Sequence, residues 1–268
     1  SLMPDGRVLI SGGASEAEIV PVDAQNPFPI RATRVVGTIE VFDPATETFE
    51  LVGSDAEGPR VFHASTQLTL GTDTYILISG GVDGINDAGP NDLSNAYYST
   101  TRCTTTGTIV CEPWNAMVKP RAGHMSFTLD TGQVVMWGGA VETSSVGERP
   151  GWELEWFQPG SQGFEMMDVA GAPRAERNLF FAAHEQYIDY RVLAAGGLLR
   201  NPDGSFTMAT LDDNGTEAVV YAYDATAIAP YGGIAVGKPG QPRMALSTPR
   251  FMGTAASLPT STLLDDGT

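Results

Sequence analysis

The chain has 268 residues, and its 15 Lys and Arg against 32 Asp and Glu give a formal net charge of −17. This balance argues against a nucleic-acid partner, because such binding needs clustered cations that release counterions. The chain is 42% hydrophobic with 31 Gly and 18 Pro, which favours a globular, turn-rich β protein. It contains no run of about 18 uninterrupted apolar residues, so we expect no membrane-spanning segment.

An apolar segment that ends in Gly-Gly recurs along the chain. The four copies are RVLISGG ending at Gly13, YILISGG at Gly81, QVVMWGG at Gly139 and RVLAAGG at Gly197. A Pro-Arg pair precedes the second, third and fourth copies and occurs once more near the end of the chain, at Arg60, Arg121, Arg174 and Arg250. The Gly pairs are expected where backbones approach closely or bend sharply.

A third element repeats in the same register. Residues 39–50, IEVFDPATETFE, align without a gap on residues 154–165, LEWFQPGSQGFE. In the first copy, Asp43 and Pro44 predict a turn between two short strands. The alignment of Trp156 and Phe157 on Val41 and Phe42 predicts that at least one of these two aromatic residues lies in the core.

A period of about 60 residues with roughly four short strands predicts the blades of a β-propeller. The expected fold class is all-β, with about four blades of four-stranded antiparallel sheet. The approximate repeats are 1–58, 59–119, 120–172 and 173–248, and a further repeat starts at 249–268. We expect these blades to form part of a larger ring; closure of the ring at four blades is the alternative.

The Gly-Gly strand, the downstream aromatic residue and the Pro-Arg pair resemble kelch repeats of the long-bladed secreted or bacterial type. The kelch pattern of Arg, two residues and His is kept at Arg60 and His63 and again at Arg121 and His124. It departs from the family at Arg177 and Gly253, where His is expected. The resemblance implies a kelch-like propeller, similar also to that of galactose-oxidase-like proteins, in a ring of about six or seven blades.

Basic side chains recur after each Pro-Arg pair, at a position that the resemblance places near one mouth of the central channel. Guanidinium groups there could bind a carboxylate or sulfate. The alternative is that each Arg pairs with an Asp or Glu between neighbouring blades. The candidate ligand-binding residues are Arg60, His63, Arg121, His124, Arg174, Arg177 and Arg250.

Two acidic loops follow the second and fourth Gly pairs. Their density of oxygen ligands suits Ca²⁺, although neither loop has EF-hand spacing. The candidate calcium ligands are Asp83, Asn86, Asp87, Asp92, Asp212 and Asp213. Solvated turn residues are the alternative, so no cofactor is certain and calcium is a candidate. Trp152 is a candidate aromatic contact for a sugar or a protein partner.

Cys103 and Cys111 lie on either side of a turn that contains Gly107. A β-hairpin would bring them face to face, which predicts a disulfide and an oxidising compartment. Two unrelated reduced thiols are the alternative.

No catalytic constellation is evident, since HExxH, GxSxG and phosphate-loop patterns are all missing from the sequence. We therefore expect a non-catalytic scaffold of an exported or cell-surface protein, periplasmic or outer-membrane-associated in a bacterium. Its inter-strand loops would bind a protein or glycan partner, and further blades or domains of the same parent protein are expected beside it. The alternatives are the propeller of a carbohydrate-active enzyme or copper radical oxidase, and an intracellular kelch adaptor.

Overall fold

The computed structural model describes residues 1–19, 30–83, 96–129, 131–139, 154–167, 179–188, 191–200, 206–208, 218–224, 233–235 and 245–246. The regular secondary structure of these residues is entirely β-strand, which confirms the predicted all-β class. Four of the six antiparallel sheets formed by the described residues follow one another along the chain in a propeller-like arrangement, and we call them blades A to D. The described residues contain no helix with the length and apolar character needed to cross a membrane.

Blade A is a three-stranded sheet in the order β1-β4-β5. In the sequence, β2 and β3 come between β1 and β4, and they pair with each other as a separate two-stranded ribbon. The predicted turn lies between β4 and β5, where the Ala45 amide donates a 2.8 Å hydrogen bond to Asp43 Oδ1. The five strands are β1 (Val8–Ser11), β2 (Ala14–Ile19), β3 (Ile30–Val35), β4 (Thr38–Asp43) and β5 (Thr48–Ser54).

Blades B and C are four-stranded meanders in which each strand pairs with the next along the chain. Blade B contains β6 (Ala64–Leu70), β7 (Asp73–Ser79), β8 (Thr100–Thr104) and β9 (Cys111–Pro113). Blade C contains β10 (Met125–Thr128), β11 (Val134–Trp137), β12 (Leu154–Phe157) and β13 (Phe164–Met166).

Blade D has the order β15-β16-β19-β20, and a small sheet in the order β14-β17-β18 lies beside it. A last short strand, β21, pairs with the first residues of β19. The strands are β14 (Leu179–Phe180), β15 (Ala183–Ile188), β16 (Arg191–Ala195), β17 (Leu198–Arg200), β18 (Phe206–Met208), β19 (Ala218–Asp224), β20 (Gly233–Ala235) and β21 (Ala245–Leu246).

The core lies between blades, because alternate residues of each strand face the preceding and the following sheet. Leu9 and Val41 of blade A pack with Ile76 and Ile78 of blade B. Leu77, also in blade B, instead joins a cluster with residues of blade C. A third cluster joins blade C to blade D. The first strands β6, β10 and β15 are also in contact in that order, so the sheets succeed one another around a common line.

A cross-strand pair occupies the same position in three blades. It is Phe42 opposite Phe49 in blade A, Cys103 opposite Cys111 in blade B, and Phe157 opposite Phe164 in blade C. The alignment of residues 39–50 on 154–165 therefore matches the structure.

Candidate functional site: the blade junctions

The Gly-Gly pairs form the junctions between consecutive blades. The amides of Gly13, Gly81 and Gly139 donate hydrogen bonds of 2.9, 2.7 and 2.8 Å to main-chain carbonyls at the entry of the next blade. The glycine before each has φ of +58°, +60° and +76°, and a Cβ there would overlap the same carbonyl. Only glycine combines this left-handed backbone with so close an approach.

The carbonyls that accept these bonds belong to Arg60, Arg121 and Leu179. Leu179, and not Arg174, therefore occupies the third position, five residues later than the Pro-Arg pattern predicts. Leu179 precedes Gly196 by 17 residues, the separation of Arg121 from Gly138. The entry of the fourth repeat therefore lies at Leu179, where the two earlier entries have an arginine.

Arg60 lies in the junction between blades A and B, where its side chain is fully buried. Its Nε is 2.7 Å from Asp55 Oδ2, and both side chains are almost completely inaccessible to solvent. Nη1 donates a 2.8 Å hydrogen bond to the Gly80 carbonyl. Thr101 donates a hydrogen bond to the same carboxylate of Asp55. The guanidinium is thus held by a buried carboxylate and the Gly-Gly turn.

Arg121 repeats this arrangement with a different carboxylate. Its Nε is 2.6 Å from Glu155 Oε1 on β12, and both side chains are fully buried. Nη1 donates to the Gly138 carbonyl, and the Val118 amide donates to Glu155 Oε2. Both arginines therefore contact carboxylates at blade junctions. The prediction that they also bind a ligand at the channel mouth stays a prediction.

A Ser–His hydrogen bond crosses each of the first two junctions. Ser11 Oγ lies 2.9 Å from His63 Nε2, and Ser79 Oγ lies 2.9 Å from His124 Nε2. In both cases the serine precedes the Gly-Gly pair of one blade and the histidine enters the next. The sequence analysis identified the histidines but missed their serine partners.

Both histidines are neutral in the folded protein at ordinary pH. Burial, followed by the charge of Arg60, lowers the pKa of His63 to about 4. Burial and the charge of Arg121 likewise hold the pKa of His124 well below its usual range. An imidazolium would lose hydration and face a nearby guanidinium, and both effects disfavour the charged form.

The third junction has apolar chemistry at the equivalent positions. Trp137 precedes the Gly-Gly pair of blade C where the earlier blades have serine, and Ala182 stands where they have histidine. Both pack in one cluster with Leu179. The register of β19 on β16 places Tyr221 at the position of Glu155. The residues of the Ser–His pair and of the ion pair are therefore replaced together.

Serine and histidine at hydrogen-bonding distance are also the parts of a nucleophilic dyad. Ser79 is fully buried and His124 is 7% exposed, so a substrate has no direct access to this pair. The same pair occurs at two successive junctions, where it bridges two sheets. These observations favour an architectural role for the Ser–His pairs.

The structure confirms the predicted disulfide between Cys103 and Cys111, which joins β8 to β9. Both Trp156 and Phe157 are core residues, at 5% and 2% exposure. Asp83 is exposed. Among the residues that the structure describes, no three His, Cys, Asp or Glu side chains form a metal-binding group. The remaining candidates, Asn86, Asp87, Asp92, Trp152, Arg174, Arg177, Asp212, Asp213 and Arg250, lie outside the described residues.

No family model matches the chain. A search of curated proteins likewise finds no match. Among solved structures, one described as "Structure of YjhT" matches at 11% identity with a TM-score of 0.48. That match covers 75% of this chain and 52% of the other, so it spans about half of the length of that structure.

Proposed function

We propose that the chain is a kelch-type propeller scaffold of an exported or cell-surface protein, whose inter-strand loops bind a protein or glycan partner. The observation that carries the proposal is the use of Arg60, His63, Arg121 and His124 in contacts between blades. Because these repeated side chains pair with other residues of the chain, we assign recognition of a partner to the segments whose sequence differs from blade to blade.

Those segments are the connections after the Gly pairs. Residues 82–93 and 140–151 differ in sequence, whereas the strands on either side repeat. The disulfide supports export, because such bonds persist in oxidising compartments and are rare in the cytosol. It also counts against an intracellular adaptor.

Loop replacement tests the proposal. Residues 84–93 or 141–150 are exchanged for a short Gly-Ser turn, and the intact chain and both variants are applied to a glycan array and to immobilised extracellular protein. We expect the intact chain to bind one class of glycan or protein. One of the two loop replacements should abolish this binding without changing the urea unfolding midpoint. Binding that survives both replacements would contradict the assignment to these loops.

The enzymatic alternative is tested on the same preparation with sugars, sialosides and alcohols, using peroxide detection for oxidase turnover. Turnover that disappears in His124→Gln while the fold persists would overturn the scaffold assignment.

Metal analysis, with melting curves before and after a chelator, tests the calcium prediction. A chelator-dependent fall in the melting temperature would assign calcium to the acidic loops.

A further inference from the structure

The turns that enter blades B, C and D share a left-handed backbone at one equivalent residue. Phe62, Gly123 and Phe181 have φ of +62°, +63° and +55°. The Gly123 amide donates a 2.7 Å hydrogen bond to the Phe62 carbonyl, and the Phe181 amide donates one of 2.7 Å to the Gly123 carbonyl. The main chains of the three turns are therefore joined in order, at the end of the blades that holds the Gly-Gly pairs.

Phenylalanine is costly in this conformation. A left-handed backbone brings the Cβ of an L residue too close to a carbonyl oxygen, and a bulky residue there is an outlier. Gly123 shows that glycine serves the same turn without this strain. Because strained residues cluster at ligand sites and switch regions, the two phenylalanines mark this end of the blades as a candidate site.

Core packing accounts for these two rings only in part. Phe180 is fully buried, whereas Phe62 and Phe181 are half-buried at the edge of the same cluster. Their rings meet edge to face, with centroids 5.1 Å apart and planes at 81°. A Cβ on Gly123 would lie 2.7 Å from the Phe181 ring, so glycine makes room for the pair. Phe62 and Phe181 thus form an aromatic corner that is partly open to solvent.

Apolar groups surround the aromatic corner, and a carboxylate lies close to them. The described residues that pack with the two rings are Val61, Val82, Ala96, Ala122, Phe180, Leu198 and Met208. Val82 bridges to Val61, and the next residue, Asp83, is exposed. Burial and the charge of Asp83 raise the pKa of Tyr97, whose hydroxyl donates a 3.2 Å hydrogen bond to the Pro59 carbonyl at the entry of blade B. The corner is therefore apolar, with negative charge beside it on a chain whose net charge is −17.

We propose that Phe62 and Phe181 are the anchor site for a protein partner, which inserts one apolar side chain flanked by Lys or Arg. This inference rests on the proposed function and narrows its partner to a protein. The inserted side chain packs against both rings, as buried anchors do at protein interfaces, and the flanking cations complement Asp83. A glycan is disfavoured, because its hydroxyl groups would lose water against described residues that are apolar.

The probe is a synthetic cyclic peptide with the tip Lys-Trp-Arg, passed over the immobilised full chain in surface plasmon resonance. Matched peptides replace the tryptophan by serine, or both cations by glutamate. We expect saturable binding of the first peptide and binding at least about tenfold weaker for the serine peptide, as for a lost anchor. The glutamate peptide should also bind more weakly, because its charges repel the acidic chain.

Variants of the chain locate the binding. Phe62→Gly and Phe181→Gly each remove one ring from a backbone that suits glycine, and each should weaken binding about tenfold. Because alanine keeps the strain, Phe62→Gly should have a higher urea unfolding midpoint than Phe62→Ala. Asp83→Asn should weaken binding about two- to fivefold. Its matched control is Asp73→Asn, the same charge change at the other end of β7, which should leave binding unchanged.

Three results would overturn the anchor site. The first is no saturation up to about 1 mM of the Lys-Trp-Arg peptide, a comparison on the parent chain that needs no variant to fold. The second is binding indifferent to Phe62→Gly and Phe181→Gly. The third is glycan binding that either variant abolishes, which would assign the rings to a sugar.

The anchor site and the scaffold proposal fail separately. A partner whose binding is lost on replacing residues 84–93 or 141–150, but is unchanged in both glycine variants, would overturn the anchor site and support the scaffold. Peptide binding that depends on Phe62 and Phe181 but survives both loop replacements would support the anchor site and contradict the assignment of recognition to the loops.

Discussion

Removing the guanidinium of Arg121 should destabilise the protein far more than removing an exposed one. In Arg121→Leu, the fully buried Glu155 keeps the Val118 amide and loses its cation, and the Gly138 carbonyl loses a donor. Breaking a buried pair by removing one partner costs about 3–5 kcal/mol. We expect a loss of about 4 kcal/mol, a large part of the roughly 5–15 kcal/mol that stabilises a typical domain.

Blade D suggests the compensating change. It has Leu179 and Tyr221 at the positions of Arg121 and Glu155. Adding Glu155→Tyr to Arg121→Leu removes the unpaired carboxylate. The double variant should therefore recover at least half of the lost free energy, a coupling of about 2 kcal/mol.

Urea unfolding followed by the fluorescence of the buried Trp137 and Trp156 measures these effects. Arg34→Leu is the matched control, because Arg34 pairs with Glu16 at 3.0 Å with both side chains more than half exposed. It should cost less than about 1 kcal/mol. If Arg121→Leu does not fold, Arg121→Lys keeps the charge and measures the loss of guanidinium geometry alone.

Two results would refute the reasoning. The first is an Arg121→Leu cost no larger than that of Arg34→Leu. The second is a double variant whose loss of stability equals the sum of the losses of the two single variants. That result would show that the unpaired carboxylate is not the cause of the lost stability in Arg121→Leu.

Further predictions concern acid, the glycine turns and the disulfide. Because the folded pKa of His63 is about 4 against about 6.5 unfolded, the unfolded chain binds more protons between these values. Stability is therefore lost as pH falls from about 6.5 to about 4, by about 3 kcal/mol for this residue. A urea unfolding midpoint that falls with pH as steeply in His63→Gln as in the parent chain would contradict this. Gly80→Ala should cost about 3 kcal/mol or more, against about 1 kcal/mol for Gly71→Ala, because both have positive φ but only Gly80 lacks room for a Cβ. Equal melting temperatures of the two glycine variants would refute the overlap. Opening the disulfide by Cys103→Ala with Cys111→Ala should cost about 2.5 kcal/mol for a closed loop of about eight residues, and an unchanged calorimetric melt would count against it.

Much of the fold follows from local patterns in the sequence. Gly80 and Gly81 identify a junction because the backbone there admits no side chain, and Cys103 and Cys111 lie opposite each other because a hairpin brings them together. Such signals concern neighbours in the chain or a single hairpin, which a linear pattern can carry.

The contacts between blades were less accessible to sequence analysis. Asp55 comes five residues before its partner Arg60, whereas Glu155 comes 34 residues after Arg121, so no common spacing reveals the two pairs. The residue types also pointed to the wrong position at Arg174. The Pro-Arg pair there resembles those at the entries of blades B and C, but the residue with the equivalent backbone position is Leu179. Trp137 was a usable signal for the Ser–His pairs, because the serine before Gly-Gly and the histidine of the next blade are both replaced at the same junction.

The different chemistry of the junctions sets an order in which the sheets separate. Acid protonates the histidines that bridge blade A to blade B and blade B to blade C. Between blades C and D, the Trp137–Ala182 contact has nothing to titrate, and His184 Nε2, 3.2 Å from the Ser126 carbonyl, donates to that oxygen whether the imidazole is neutral or charged. Blades C and D therefore form the more acid-resistant cooperative unit. In mildly acidic medium, amide exchange should quicken first around Gly12 and Gly80 while the amides flanking Gly138 keep their protection.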